Sequence, residues 1–305
     1  MNPPASLGIA LGSGGARGLA HIGILEALAE LGFHPEFVTG TSIGSIVGAA
    51  YADNRLPQLH DLAVSIDLRT FLFKIMDFGM PRSGLVEGKR IQQLLEELLP
   101  DTSFEKLVKP FRCVAAALKT GDEVVFSSGP LIPAIRASIS IPGIFTPIEI
   151  DGRHLIDGGL VNPIPVDQVR ELGAKTVIAV DVNHGTLKET RPAKPEDESP
   201  KIPEWITRIG ESLHLKDSAH LEKMKDWFRP DPNPNLVEVL GGTLHIIDNQ
   251  VGRVRMKIDQ PDLCLRPEVG DVEVLDFHRA RDIIAAGREC VEANKDALLA
   301  LCNPD

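Results

Sequence analysis

Apolar positions along the chain change their period several times, and each change marks an element. Leu7 to Leu11 (LGIAL) is an unbroken apolar run, short enough to be a fully buried strand. It enters the glycine loop GSGGARG at 12–18. LAHIGILEALAELG then places apolar residues at helical spacing as far as Gly32, a helix stop. A second short strand, at 37–39, leads at once into GTSIGSIVGAAYADN, the pattern of a sharp turn followed by a helix. Residues 89–99 (KRIQQLLEELL) are an amphipathic helix. FRCVAAALK and VVFSS, joined by TGDE, form a hairpin. IEIDGRHLIDGG forms another, with Asp151-Gly152 at its tip, a dipeptide suited to a type I′ turn. TVIAVDV at 176–182 reads as an interior parallel strand, and DFHRARDIIAAGRECVEANKDALLAL as one long closing helix. Strands alternating with helices predict an α/β fold, a three-layer α/β/α sandwich around a mainly parallel central sheet.

Two stretches stand outside this rhythm. Residues 67–88 are apolar without clean periodicity, and their stretch at 67–80 packs under the sheet or lines an acyl-chain groove. Residues 188–235 hold seven of the 23 prolines, both tryptophans and the mixed charge run KPEDESPK. Ile202, Trp205, Ile206 and Ile209 fall at helical spacing there. The chain is therefore read as a single domain over 1–305 with an excursion at 188–235, a lid or contact segment.

Composition narrows the partners. A net charge of −11 argues against nucleic acid, which demands concentrated Lys and Arg. It also gives no long-range attraction to anionic lipid, so any membrane contact is expected to be peripheral, through a local patch. Cys113, Cys264, Cys290 and Cys302 are scattered without a CxxC pair, as in a reduced, cytoplasmic protein. The longest uncharged internal run, at 37–52, has 16 residues and is rich in Gly, Ser and Thr, too short and too polar for a span. No HxxxH, HExxH or carboxylate cluster suggests a metal.

Three sequence features could carry chemistry. Gly40-Thr41-Ser42-Ile43-Gly44 is a G-x-S-x-G between a strand and a helix, where glycines allow the tight turn that exposes a nucleophilic serine. Alone, it is equally a helix-capping loop. The loop Gly12-Ser13-Gly14-Gly15-Ala16-Arg17-Gly18 can gather backbone N–H groups into an anion nest, for a dinucleotide pyrophosphate or for a transient oxyanion. The dinucleotide reading expects an acidic residue at the end of the second strand, and none is there. Asp157-Gly158-Gly159, alone, is turn material, and it gains weight because Ser42 needs a base.

Taken together, GSGGARG with GLAHIGIL, then GTSIG, then ASISIPGIF at 137–145, then DGGLVNPIP at 157–165 resemble the patatin-like phospholipase family, in that order and at similar spacing. The resemblance covers roughly residues 7–182 and the last sixty or so. It implies a serine acyl hydrolase acting on phospholipid, lysophospholipid or a related acyl ester, with Ser42 as nucleophile and Asp157 as base. It implies an oxyanion hole at Gly14 and Gly15 steadied by Arg17, no cofactor, and no calcium. Ser13 stands where the plant-type members carry a further glycine. The 137–142 stretch is expected to brace the dyad. Two rivals remain: a nucleotide-binding or regulatory module in which Ser42 is only a helix cap, and a Ser-Asp-His triad recruiting His245 or His278.

Overall fold

Side chains alternate across the strands so that both faces of the sheet are apolar, and that alternation dictates the layering. The structure, a computed structural model, describes residues 4, 6–66, 84–100, 103–185 and 236–302. The apolar stretch at 67–80 and the helix expected around Trp205 lie outside those residues. In chain order the first elements are β1 (Leu7–Leu11), α1 (Ala20–Glu30), β2 (Phe37–Thr41), α2 (Ile43–Ala52), α3 (Leu56–Ser65), β3 (Gly84–Val86), α4 (Lys89–Leu98) and β4 (Phe111–Ala117). Next come β5 (Glu123–Phe126), α5 (Leu131–Ser138), β6 (Gly143–Phe145), β7 (Ile148–Ile150), β8 (Arg153–Asp157) and α6 (Val166–Glu171). The last are β9 (Thr176–Val180), α7 (Leu236–Asp259), β10 (Leu263–Leu265), α8 (Ala280–Ala293) and α9 (Lys295–Ala300).

The main sheet runs β10-β9-β1-β2-β4, every neighbouring pair parallel. Ile9, Leu11, Val38, Ile178 and Val180 face one core, which they share with Ile22, Leu25, Val47 and Ile284 of α1, α2 and α8. Ala10, Val177 and Ala179 face the other, against Val166 and Val169 of α6. Helices therefore cover both faces, as the three-layer expectation requires, and each fully buried Leu or Ile contributes about 1.5–3 kcal/mol by leaving water. The chain divides by its contacts into two compact units, Met1–Thr186 with Leu244–Asp305, and Leu187–Thr243. The sheet and the residues discussed below belong to the first. Among the described residues no helix is long and apolar enough to cross a membrane.

Two antiparallel hairpins attach to β4. β5 pairs with it over Cys113–Ala116, and β8 over Ala115–Ala117. Asp151 and Gly152 both take positive φ at the β7–β8 tip, as a type I′ turn needs. Because β5 takes one edge of β4, β2 and β8 must share the other, end to end. Thr41 pairs with Val114 and Asp157 with the next residue, Ala115. The end of β2 is thus brought against the end of β8, although 115 positions separate Ser42 from Asp157.

The closing helix departs from the single element expected. It comprises a short 3-10 turn at Phe277–Arg279, then α8, then α9 after a break at Asn294. Asn294 leaves the helical region with φ −106° and ψ 14° and turns its Nδ2 onto the Cys290 carbonyl at 2.8 Å. A short amide side chain that competes for the backbone in this way interrupts a helix.

Candidate active site

Ser42 sits where a parallel strand must become a helix within one residue. It adopts φ 56° and ψ −125°, a positive-φ conformation that side chains other than glycine rarely take. Gly44 makes the turn possible: a Cβ there would overlap the Leu11 carbonyl oxygen and lie 2.8 Å from that of Gly12. Gly40 is similarly pressed against the Gly44 backbone. Helix α2 begins at Ile43, so its first free N–H groups and positive dipole end lie directly behind the serine.

The Ser42 hydroxyl does not cap α2. It donates instead to Asp157 Oδ2 at 2.6 Å. This disposes of the serine as a mere helix cap. The other carboxylate oxygen, Oδ1, accepts the Gly159 N–H at 2.8 Å, so the glycine after the turn aims the acid. Gly158 lets the turn pass close to the Val114 carbonyl. Both Ser42 and Asp157 are buried. Burial pushes the Asp157 carboxyl up to about 6, against the opposing pull of its hydrogen bonds from Ser42 and Gly159. A carboxylate of raised basicity against an alcohol is the arrangement that general-base chemistry needs.

The 137–142 stretch braces both partners. Ser138 Oγ accepts the Ser42 N–H at 2.9 Å and donates to the Val114 carbonyl at 2.6 Å, while the Ser140 carbonyl accepts the Asp157 N–H at 2.9 Å. Ser138→Ala leaves the buried Ser42 N–H unpaired. It is expected to lower the free energy of unfolding by about 1–3 kcal/mol, read from denaturant midpoints.

The glycine loop lies beside this pair. Ser13 packs close enough to Gly159 that a Cβ on the glycine would lie 3.3 Å from Ser13 Cβ. Gly14 and Gly15 take φ 153° and 58°, and their amide N–H groups have no hydrogen-bond partner among the described residues. Unpartnered backbone N–H groups of this kind are available to an anion. Gly12 and Gly18 hold the loop's ends close to β9 and to Ile43. Arg17 is buried, and its guanidinium is tied into the fold beside the loop: Nε donates to the Val272 carbonyl at 2.8 Å and Nη1 to Asn183 Oδ1 at 2.6 Å.

The described histidines near the loop and the closing helices form no part of the Ser42–Asp157 pair. His21 is fully buried, with Nε2 on the Gly12 carbonyl at 2.8 Å, and burial lowers its pKa to about 4, so it is a neutral support of the loop. His245 lies 3.4 Å from Arg17 Nη1, and burial with that cation's repulsion brings it to about 4. Neither it nor His278 has a bond to Ser42 or Asp157 among the described residues. Among the described residues no group of three or more His, Cys, Asp or Glu gathers to hold a metal ion.

Two residues at the site had no signal in sequence. Asn183 follows the run TVIAVDV, and Asp248 lies in an unremarkable part of α7; both reach the glycine loop.

Comparison with known proteins points in one direction. The family model described as patatin-like phospholipase matches residues 9–170. An NTE family protein of Mycobacterium tuberculosis is 31% identical over 92% of this chain and 88% of its own length. A patatin-like phospholipase domain-containing protein of Caenorhabditis elegans is 36% identical over 92% of this chain and 20% of its own length. Patatin-like phospholipase domain-containing protein 7 of Rattus norvegicus is 35% identical, again over 92% of this chain and 20% of its own.

Proposed function

Because this chain belongs to the patatin-like phospholipase family, and so is a lipid esterase by class, we propose that it cleaves carboxylic esters of phospholipid, lysophospholipid or a related acyl lipid through a Ser42–Asp157 dyad. One observation carries the proposal: a serine at a strained strand-to-helix turn, donating at 2.6 Å to a buried carboxylate. Asp157 takes the Ser42 proton as Oγ attacks the acyl carbon. The carbonyl oxygen becomes an oxyanion facing the Gly14 and Gly15 amides. The tetrahedral intermediate collapses as the C–O bond to the alcohol breaks, and the proton on Asp157 passes to that leaving oxygen. Water, deprotonated by Asp157, then attacks the acyl-Ser42 ester, and the acid leaves with Ser42 reprotonated.

We place the start of an acyl chain at a small apolar hollow of about 60 Å³ lined by Leu19, Ile43, Ile46, Leu62, Leu94 and Phe277, which includes the residue next to the nucleophile. Contact with the lipid surface is proposed to be peripheral and the location cytoplasmic.

A fluorophosphonate probe is expected to form one covalent adduct, mapped by mass spectrometry to Ser42. The second-order labelling rate should fall in acid with an apparent pKa of about 6, because the base is lost when Asp157 is protonated. An adduct on another residue, or a rate that stays level down to pH 4, refutes the dyad.

A further inference from the structure

The glycine loop is held by a polar network that the dyad chemistry does not use. All three polar groups of Ser13 are anchored. Its N–H donates to the Pro163 carbonyl at 2.9 Å, its carbonyl accepts Asn183 Nδ2 at 3.1 Å, and its hydroxyl lies 2.9 and 2.8 Å from Asp248 Oδ1 and Oδ2. Asn183 Nδ2 also donates to Asp248 Oδ2 at 2.8 Å, and Asn183 Oδ1 accepts from the Arg17 guanidinium. The residues immediately after Ser13 are Gly14 and Gly15, whose amides are unpartnered among the described residues. Two consecutive glycines at positive φ have no side chains to hold them, so the aim of their N–H groups depends on how the preceding residue is fixed.

Resting on the dyad reading above, we infer that Asp248 is a positioning residue for acyl transfer, acting through Ser13 and Asn183 to hold the Gly14 and Gly15 amides where the oxyanion forms. The site is built for an acceptor. Its neighbours Ser13 and Asn183 both donate to Asp248, and Arg17 adds positive charge from beyond Asn183. An alanine at 248 removes both acceptor oxygens and leaves the Ser13 hydroxyl and Asn183 Nδ2 without them. Burial raises the Asp248 pKa to about 7, with Asp157 and Asp181 adding to the rise and Ser13 and Arg17 opposing it. On their outer side Asp248 and Asn183 border a cavity of about 510 Å³. The carboxylate therefore sits between that cavity and the back of the loop.

The test compares wild type, Ser13→Ala, Asp248→Ala and the double variant in turnover of a short-chain p-nitrophenyl ester. Rates are expressed per fluorophosphonate-titrated site, so that unfolded protein does not count. Each single variant is expected to lose about 10- to 100-fold in kcat with KM changed less than about threefold, since an oxyanion donor acts on the transition state. The double variant should be no slower than the slower single one, because both substitutions cut the same link. Unchanged kcat per titrated site in both singles, with only stability or active fraction reduced, overturns the inference. So do losses that multiply in the double variant. A wild type that neither turns over the ester nor labels at Ser42 overturns the dyad reading and this inference with it; a labelled wild type with undiminished variants overturns this one alone.

Discussion

Asp157→Asn is expected to lose about 10³–10⁵-fold in kcat for ester hydrolysis while gaining stability at pH 8. The activity loss follows because an amide cannot take the Ser42 proton. The asparagine can still fill the space: Oδ1 keeps the Gly159 N–H, and Nδ2 can donate to Ser42 Oγ in place of the reversed bond. The stability gain follows from linkage. Burial raises the Asp157 carboxyl from 3.8 to about 6, so the folded state prefers it protonated. A carboxyl with a raised folded-state pKa supports the fold fully below its unfolded value and loses that support as pH rises through about 6. Keeping the ionised group buried at pH 8 costs about 3 kcal/mol as an upper figure, and the neutral amide avoids it. The advantage of Asp157→Asn over wild type should therefore shrink between pH 7 and pH 4, measured by urea unfolding at each pH. A variant less stable than wild type at pH 8 contradicts this account. Ser42→Ala should abolish turnover by about 10⁴–10⁶-fold without that gain. It removes a hydrogen bond that pulls the Asp157 pKa down and leaves the carboxylate with fewer donors.

Gly44→Ala is expected to cost about 2–4 kcal/mol of stability and at least about 10²-fold in turnover. The added Cβ meets the Leu11 and Gly12 carbonyl oxygens, both main chain at the end of β1, and neither can swing aside. Relief requires the start of α2 to move away from β1 and the glycine loop, which carries Ser42 off the amides of Gly14 and Gly15. Gly48→Ala, one turn along the same helix, is the comparison. Its Cβ meets the Phe111 ring edge at 2.8 Å and Val38 at 3.3 Å, side chains that can shift, so the expected cost is about 1–3 kcal/mol with turnover within about tenfold of wild type. Thermal unfolding and kcat on both variants decide it. A Gly44→Ala protein with wild-type activity contradicts the close approach of α2 to β1.

Local patterning carried much of the fold. β1, β9 and the two hairpins were readable because apolar runs and turn dipeptides report on neighbouring residues alone. The closing helix breaks at Asn294, where a local side-chain bond overrides a continuous amphipathic pattern. Ser42 could be singled out because an elbow needs glycines at fixed short offsets, and those offsets are visible in sequence.

What the chain order alone determined about this protein is the α/β alternation, the serine elbow and the glycine loop, since each is set by spacing within about ten residues. The partner of Ser42 was suggested by resemblance, and only the tertiary structure brought it within 2.6 Å, through the register that sets β2 and β8 end to end on one edge of β4. The Ser13–Asn183–Asp248 network was decided by folding entirely: a bond between residues 235 positions apart has no periodicity or motif to announce it. The physical reason is the same throughout. Backbone preferences act over a few residues, whereas buried carboxylates are placed by whichever distant donors the packed sheet brings to them.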